Sequence, residues 1–250
     1  MFIKQVPDTD DVRWTANNNI DRANTESILN PVDKQAIEAA LDLKKKYGAI
    51  ITAVSMGPNK AIEVLKEAIA LGVDEAALLS DSKFVGSDTC ATSKVLASSI
   101  LEKFSNTDII LFGQSASDGE TSQTGPSTAV RLNYPCVTHV NEIIEVTDNN
   151  EIIVNSETEV EKTTFKIKLP AVLCINNYIN VPSLPKIEGY MKAHDYNYKI
   201  YNMFDLKISD IETGVKGSPT YVSKVYKTQE GRNCVMLSTD EILNKIKGVC

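Results

Sequence analysis

From residue 2 to residue 112 the chain alternates short apolar runs with segments of helical period, and that alternation leaves few folds open. Residues 2–6, 49–54, 75–79 and 108–112 are strand-sized and largely apolar. Between them, about residues 33–47 set Ala36, Ala40, Leu43 and Tyr47 on one helical face, and about residues 60–71 do the same for Ile62, Leu65 and Ile69. Pro31 marks the first helix entry and Gly72 the end of the second. A third helix, capped by Asp88 or Thr89, carries Leu96, Ile100 and Phe104. Strand-helix repeats at this spacing predict an α/β fold, a parallel sheet covered on both faces.

Past Pro135 the pattern changes to extended segments at residues 137–146, 151–158, 160–167 and 171–175, with a turn at 148–150. These four are expected to pair antiparallel. Charges alternate with apolar residues in the first and third, as on a half-exposed strand at a sheet edge. The division expected is residues 1–190 as the α/β domain and 191–250 as a C-terminal arm. That arm has apolar patches without a core of its own, so it is read as wrapping on a partner. Near its end, Ser238 and Glu241 have capping-box spacing ahead of Ile242, Leu243 and Ile246.

The polar, small-residue stretch after residue 112 is the strongest functional signal. It runs Gly113, Gln114, Ser115, Ala116, Ser117, Asp118, Gly119, Glu120, Thr121, Ser122, Gln123, Thr124, Gly125 and Pro126. A buried strand precedes it and helical character follows from Ser127, and loops at the carboxyl ends of parallel strands face the ligand crevice. Free N–H groups at the start of the next helix attract anions, so Ser122, Gln123, Thr124 and Gly125 suit a phosphate. Three other turns after strands fall on the same edge: Lys4 to Pro7, Met56-Gly57-Pro58, and Gly86 to Thr89. Taken singly, Met56-Gly57 reads first as a plain turn and Asp88-Thr89 as a helix cap. Neither a Walker lysine motif nor a Gly-x-Gly-x-x-Gly fingerprint is present. Asp118 and Glu120 are read as fixing loop geometry rather than as an acid-base pair. The long loop from Pro7 to Asn30, with Trp14, exceeds common loop lengths and is read as a place of function or partner contact.

Charge and composition narrow the classes. With 26 Lys and Arg against 33 Asp and Glu, the net charge of -7 disfavours nucleic acid. No apolar run approaches a membrane span and the opening lacks signal-peptide features, so a cytoplasmic location is expected. The five cysteines are scattered and suggest neither a disulfide framework nor a metal site. His139 and His194 lack a recognisable catalytic partner, so no catalytic residue is assigned and no metal is expected.

These residues resemble the beta subunit of electron transfer flavoproteins along essentially the whole chain. The resemblance is carried by Lys4-Gln-Val-Pro-Asp-Thr9, Leu29-Asn-Pro31, Ser55-Met-Gly-Pro58, Asp118-Gly-Glu-Thr-Ser-Gln-Thr-Gly-Pro126, Leu169-Pro-Ala171 and Met191-Lys-Ala193. Relative to that family the first strand is expected to be short. The resemblance implies a Rossmann-like domain of the adenine nucleotide alpha hydrolase-like type, paired with a larger alpha subunit that carries an exchanging FAD. It places an adenylate here on Phe2, on Asn30, Pro31, Val32 and Asp33, on Met56, and on Gly113 through Thr124. That ligand is AMP in simple carriers and a second FAD in electron-bifurcating members, which take electrons from NADH. Gly119 after Asp118 is closer to the bifurcating pattern, so FAD is favoured, with AMP as the alternative. The resemblance also implies docking of an acyl-CoA dehydrogenase-type enzyme near Pro182 to Lys192, through Leu184 or Ile187. The other readings left open are a stand-alone ATP-binding or hydrolysing domain and a scaffold in which AMP only stabilises a heterodimer.

Overall fold

The computed structural model describes residues 1–8, 26–176, 181–221, 236–239 and 241–243. Trp14 and most of its loop lie outside them. The described ends of that loop pair as a small antiparallel ribbon, β1 (Gln5–Pro7) with β2 (Ser27–Leu29).

The alternation expected from the sequence is present: α1 (Pro31–Tyr47), β3 (Thr52–Met56), α2 (Ile62–Leu71), β4 (Glu75–Leu79), α3 (Thr89–Lys103), β5 (Ile109–Gly113) and α4 (Thr124–Leu132). β6 (Cys136–Thr147), β7 (Glu151–Glu157), β8 (Lys162–Lys168) and β9 (Ala171–Ile175) follow, then α5 (Ile187–Asp195), β10 (Lys199–Tyr201) and the short α6 (Gly214–Gly217). β3 and β4 pair in parallel, and β10 adds to β4 in parallel, giving one group of three. The other group runs β5-β9-β6-β7-β8.

The first three residues join these groups. Phe2 bridges Val54 of β3 in parallel, Ile3 N–H donates to the Val54 carbonyl at 2.9 Å, and Phe2 N–H donates to the Leu111 carbonyl of β5 at 2.9 Å. The opening segment is therefore the central strand. From it the chain winds through α1 to β3 and β4 on one side, then returns through α3 to β5 on the other. That reversal of direction is a topological switch point, and in such sheets the crevice for ligands opens at the carboxyl ends of the strands there.

One expectation is corrected. β9 does not pair antiparallel: it lies between β5 and β6 and is parallel to both. All five of its residues are buried, the unbroken apolar run of a strand with both faces covered. β6 is 12 residues long and serves two neighbours. Its first half extends the parallel sheet, and its second half, past register shifts, carries the antiparallel β7-β8 extension. β8 is the exposed edge, blunted by alternating lysines that ion-pair Glu151 and Glu157.

Helices cover both faces. α1, α2 and α5 enclose a core of Ala36, Ile37, Leu65, Ile69, Leu78, Leu173 and Ala193 on one face. α3 and α4 enclose Phe2, Val95, Ile100, Ile110, Phe112, Ala129 and Leu206 on the other. Phe2 and Phe112 stack at 5.0 Å between ring centroids, which packs the first strand against β5 beneath the crevice. Among the described residues no helix is long and apolar enough to cross a membrane.

Residues 196–217 lie on this body. β10 extends the sheet, Leu206 is fully buried, and the Tyr196 hydroxyl accepts from Ala76 N–H at 2.9 Å. Three residues of strand flanked by polar sequence leave too little alternation to be legible as β10. At the far end of the chain, Ser238 and Glu241 make the reciprocal bonds of a capping box.

Candidate functional site

Three of the expected turns meet at the carboxyl ends of the sheet. Lys4 leaves the first strand, Met56 and Gly57 leave β3, and Gly113 leaves β5 into the long loop. The entrance of α1 sits among them and holds their backbones. Asn30 occupies the N-cap position of α1, where its side chain would ordinarily bond its own helix. Here its amide reaches across instead, donating to the Ser115 carbonyl at 2.8 Å and accepting from Ser117 N–H at 3.3 Å. Asn30 N–H donates to the Lys4 carbonyl at 3.0 Å. One buried residue, through its backbone N–H and its side chain, thus ties the first strand, α1 and the loop together.

Asp33, in the first turn of α1, is 5% exposed. One oxygen accepts from Lys4 N–H at 2.7 Å and the other from Gly113 N–H at 3.2 Å. Burial pushes its carboxyl up to about 7, against the pull of the Lys4, Asn30 and Gly113 hydrogen bonds and the Lys4 charge. Gly113 is required by this contact, since a Cβ there would lie 2.3 Å from the Asp33 oxygen. Val32 also approaches, its carbonyl carbon 3.0 Å from that Cβ position.

Above this clamp the loop is held by polar contacts. Lys4 Nζ pairs with Asp118 at 2.5 Å, which is the geometric role expected for Asp118. Gly119 and Glu120 N–H groups both donate to the Ala116 carbonyl, closing a turn. Glu120 and Ser122 have φ of 48° and 53°, the left-handed region that non-glycine residues rarely adopt. Ser122 is followed by Gln123 in right-handed geometry, an alternation that turns consecutive N–H groups toward one anion. Gly119 has nothing within 4 Å of its Cβ position, and its φ is not positive. Its contribution is open space rather than an unusual backbone.

The helix entrances differ in one respect that matters. α3 is closed: Asp88 accepts from Ala91 N–H at 2.9 Å through one oxygen, and from Thr220 N–H and hydroxyl through the other. α4 begins at Thr124 with no side-chain cap, because the Gln123 amide oxygen accepts from the Thr89 hydroxyl at 3.0 Å instead. Its first N–H groups therefore remain available for an anion. Gly125 lets α4 sit directly on the sheet, as a Cβ there would lie 2.5 Å from Cys174 Sγ.

Sequence reading left out His139 as a site neighbour. It sits at a bulge of β6 with φ of 54°, and its N–H donates to the Gln114 side-chain oxygen at 2.8 Å. Gln114 N–H donates to the Ile175 carbonyl at 2.8 Å, so the loop is pinned to β9 and β6 as well. Nothing in the local sequence marks a bulge there.

Comparison with known proteins gives the family. The electron transfer flavoprotein domain model matches residues 18–195. The chain is 41% identical over 224 residues to the electron transfer flavoprotein subunit beta of Thermoanaerobacterium thermosaccharolyticum, covering 89% of this chain and 85% of that protein. The chain belongs to the electron transfer flavoprotein family. Other relatives in the family include the caffeyl-CoA reductase-Etf complex subunit CarD of Acetobacterium woodii, 36% identical over 247 residues, covering 98% of this chain and 93% of that one. The acryloyl-CoA reductase electron transfer subunit gamma of Anaerotignum propionicum is 34% identical over 247 residues, covering 96% and 92%. Electron transfer is the activity that this membership carries.

The segment expected to dock an acyl-CoA dehydrogenase is anchored to the body. α5 packs on α2 with Gly189 against the Ala70 backbone, and Ser183 bonds Glu38 of α1 at 2.9 Å through both its N–H and its hydroxyl. Leu184 and Ile187 are 88% and 81% exposed, with Val181 and Met191 beside them in sequence also exposed.

Proposed function

We propose that this chain is the beta subunit of a heterodimeric electron transfer flavoprotein and binds an adenylate in the crevice bounded by Lys4, Asn30, Met56 and the 113–124 loop. The carrying observation is the combination at the switch point of an uncapped α4 entrance with left-handed residues just before it. These are N–H donors for a phosphate, and no lysine motif or acid-base pair accompanies them. That donor set suits a ligand that is held rather than hydrolysed.

FAD is the favoured ligand and AMP the alternative. The open space beside Gly119 supports the larger group. A bound flavin would supply the redox chemistry, while this chain's residues fix its position and its exposure to water. The partner reading is an alpha subunit carrying a further FAD, held in part by the C-terminal arm of residues 191–250, and an acyl-CoA-type redox enzyme seated on the exposed row around Leu184 and Ile187. The names of the Acetobacterium and Anaerotignum relatives, subunits of CoA-thioester reductase systems, support that substrate class. With FAD in this chain, NADH becomes the expected electron source for bifurcation.

The test is extraction of the ligand from the chain co-expressed with its alpha subunit. Two flavins per heterodimer support the FAD form, and one flavin with AMP supports the simple carrier. A complex free of any adenylate refutes the reading, and ATP turnover by the chain alone would favour the hydrolase alternative.

A further inference from the structure

An acidic residue in the first turn of a helix ordinarily faces solvent or its own helix N–H groups. Asp33 does neither. Both its oxygens point inward onto the backbone of two other strands, the exits of the first strand at Lys4 and of β5 at Gly113. Family resemblance groups this residue with the ligand contacts, and here each of its oxygens also accepts a backbone N–H of the chain. We propose that Asp33 is a positioning residue, a buried carboxylate that sets the spacing of the two strand exits flanking the nucleotide crevice, so that ligand retention follows whether it is charged.

The inference rests on the nucleotide-site reading above. Its basis is geometric. The fit at Gly113 is too close for any side chain, so the spacing of the two exits is set by what Asp33 accepts. A charged carboxylate accepts both N–H groups. A protonated one carries a hydrogen on one oxygen, which then meets a donor, and one of the two bonds is lost. Burial brings this change into the neutral range, with the group pushed up to about 7. The charge that acts on it is Lys4, whose ammonium is itself paired with Asp118 in the loop. From α1 it is faced by the neutral Asn30 amide, and from β5 by the Gly113 backbone alone.

The sign follows from the raised value. Ionising the buried acid works against the fold, so its stability term is fullest below the unfolded value near 4 and declines as pH rises through about 7. The clamp has the opposite preference, since it needs the charge. Acidification through neutrality therefore leaves the chain folded while loosening the crevice.

The experiment measures the affinity of ligand-stripped heterodimer for AMP and for FAD from about pH 5.5 to about pH 8.5, for the wild type and for Asp33→Asn. Wild-type affinity should fall about tenfold toward the acid end, the size expected for losing one charge-assisted bond. Asp33→Asn, able to accept only one N–H, should bind weakly and without that pH dependence. Should the variant not fold, the amide shifts of Lys4 and Gly113 in the wild type serve instead, and they should titrate together near neutrality. The proposal is overturned by a variant that follows the wild-type profile, by a wild-type profile that is flat or inverted, or by amides that do not move. A wild type that binds no adenylate at any pH overturns the nucleotide reading, while the amide titration still reads the clamp by itself.

Discussion

Gly189→Ala opposes two effects of known size, and the structure says which wins. Gly189 lies in the first turn of α5, where Ala is favoured over Gly by at most about 1 kcal/mol, the helix-interior value. Against that, a Cβ at this position would lie 2.1 Å from the Ala70 carbonyl oxygen and 2.9 Å from its carbon. The obstacle is the backbone of α2, which cannot rotate away as a side chain would. Relief requires α5 to retreat by about 1 Å, and a gap of that size forfeits roughly a quarter to a half of each dispersion contact along the interface. Overpacking of this kind costs about 1–3 kcal/mol, so after the propensity gain a net loss of up to about 2 kcal/mol is expected. Retreat would also strain the Lys192 Nζ bond to the Val73 carbonyl, 3.2 Å, and shift the exposed row that includes Ile187 and Met191. Urea unfolding should show a lower midpoint at unchanged slope, with faster amide exchange confined to residues 187–195. Gly119→Ala, with open space around it, is the control and should change stability by no more than about 0.5 kcal/mol. If Gly189→Ala matches or exceeds the wild type, helix propensity has won and the close-approach argument is wrong.

Two further substitutions test the frame of the site. Asn30→Ala removes one partner each from the Ser115 carbonyl and Ser117 N–H, leaving polar groups at the loop unsatisfied at about 1–3 kcal/mol, and the adenylate recovered per heterodimer should drop correspondingly. Asp88→Ala removes the α3 cap and both bonds to Thr220, so a loss of about 1 kcal/mol at neutral pH and faster proteolysis near residue 220 are expected. Burial opposes the Asp88 charge, but the Ala91, Thr220 and Cys90 bonds hold its carboxyl below the usual carboxylate range. The contribution is therefore present above the unfolded value near 4 and lost as pH falls through the lower folded value, so wild type and variant should converge in acid.

Much of the fold was legible because helix and strand periods are local. Ala36, Ala40 and Leu43 recur at helical spacing whatever packs on them, and they line the core as expected. The 113–126 stretch stood out for the same reason, polar small residues between two apolar flanks. β9 was misread because an unbroken apolar run tells that both faces are buried but not which way its neighbours run. The Asp88 cap was legible from residue type, yet the partnership of its second oxygen with Thr220, 132 positions away, was not.

By itself, then, the sequence determined the layers, the place of the loop and the family, all of which follow from periodicity and from motifs contiguous in the chain. Tertiary structure alone decided that Met1 to Ile3 form the central strand, that β9 runs parallel, and that Asp33 accepts from Lys4 and Gly113. Those outcomes depend on which backbone groups come within hydrogen-bonding distance across separations of 29 and 80 residues, and no local pattern encodes such a meeting.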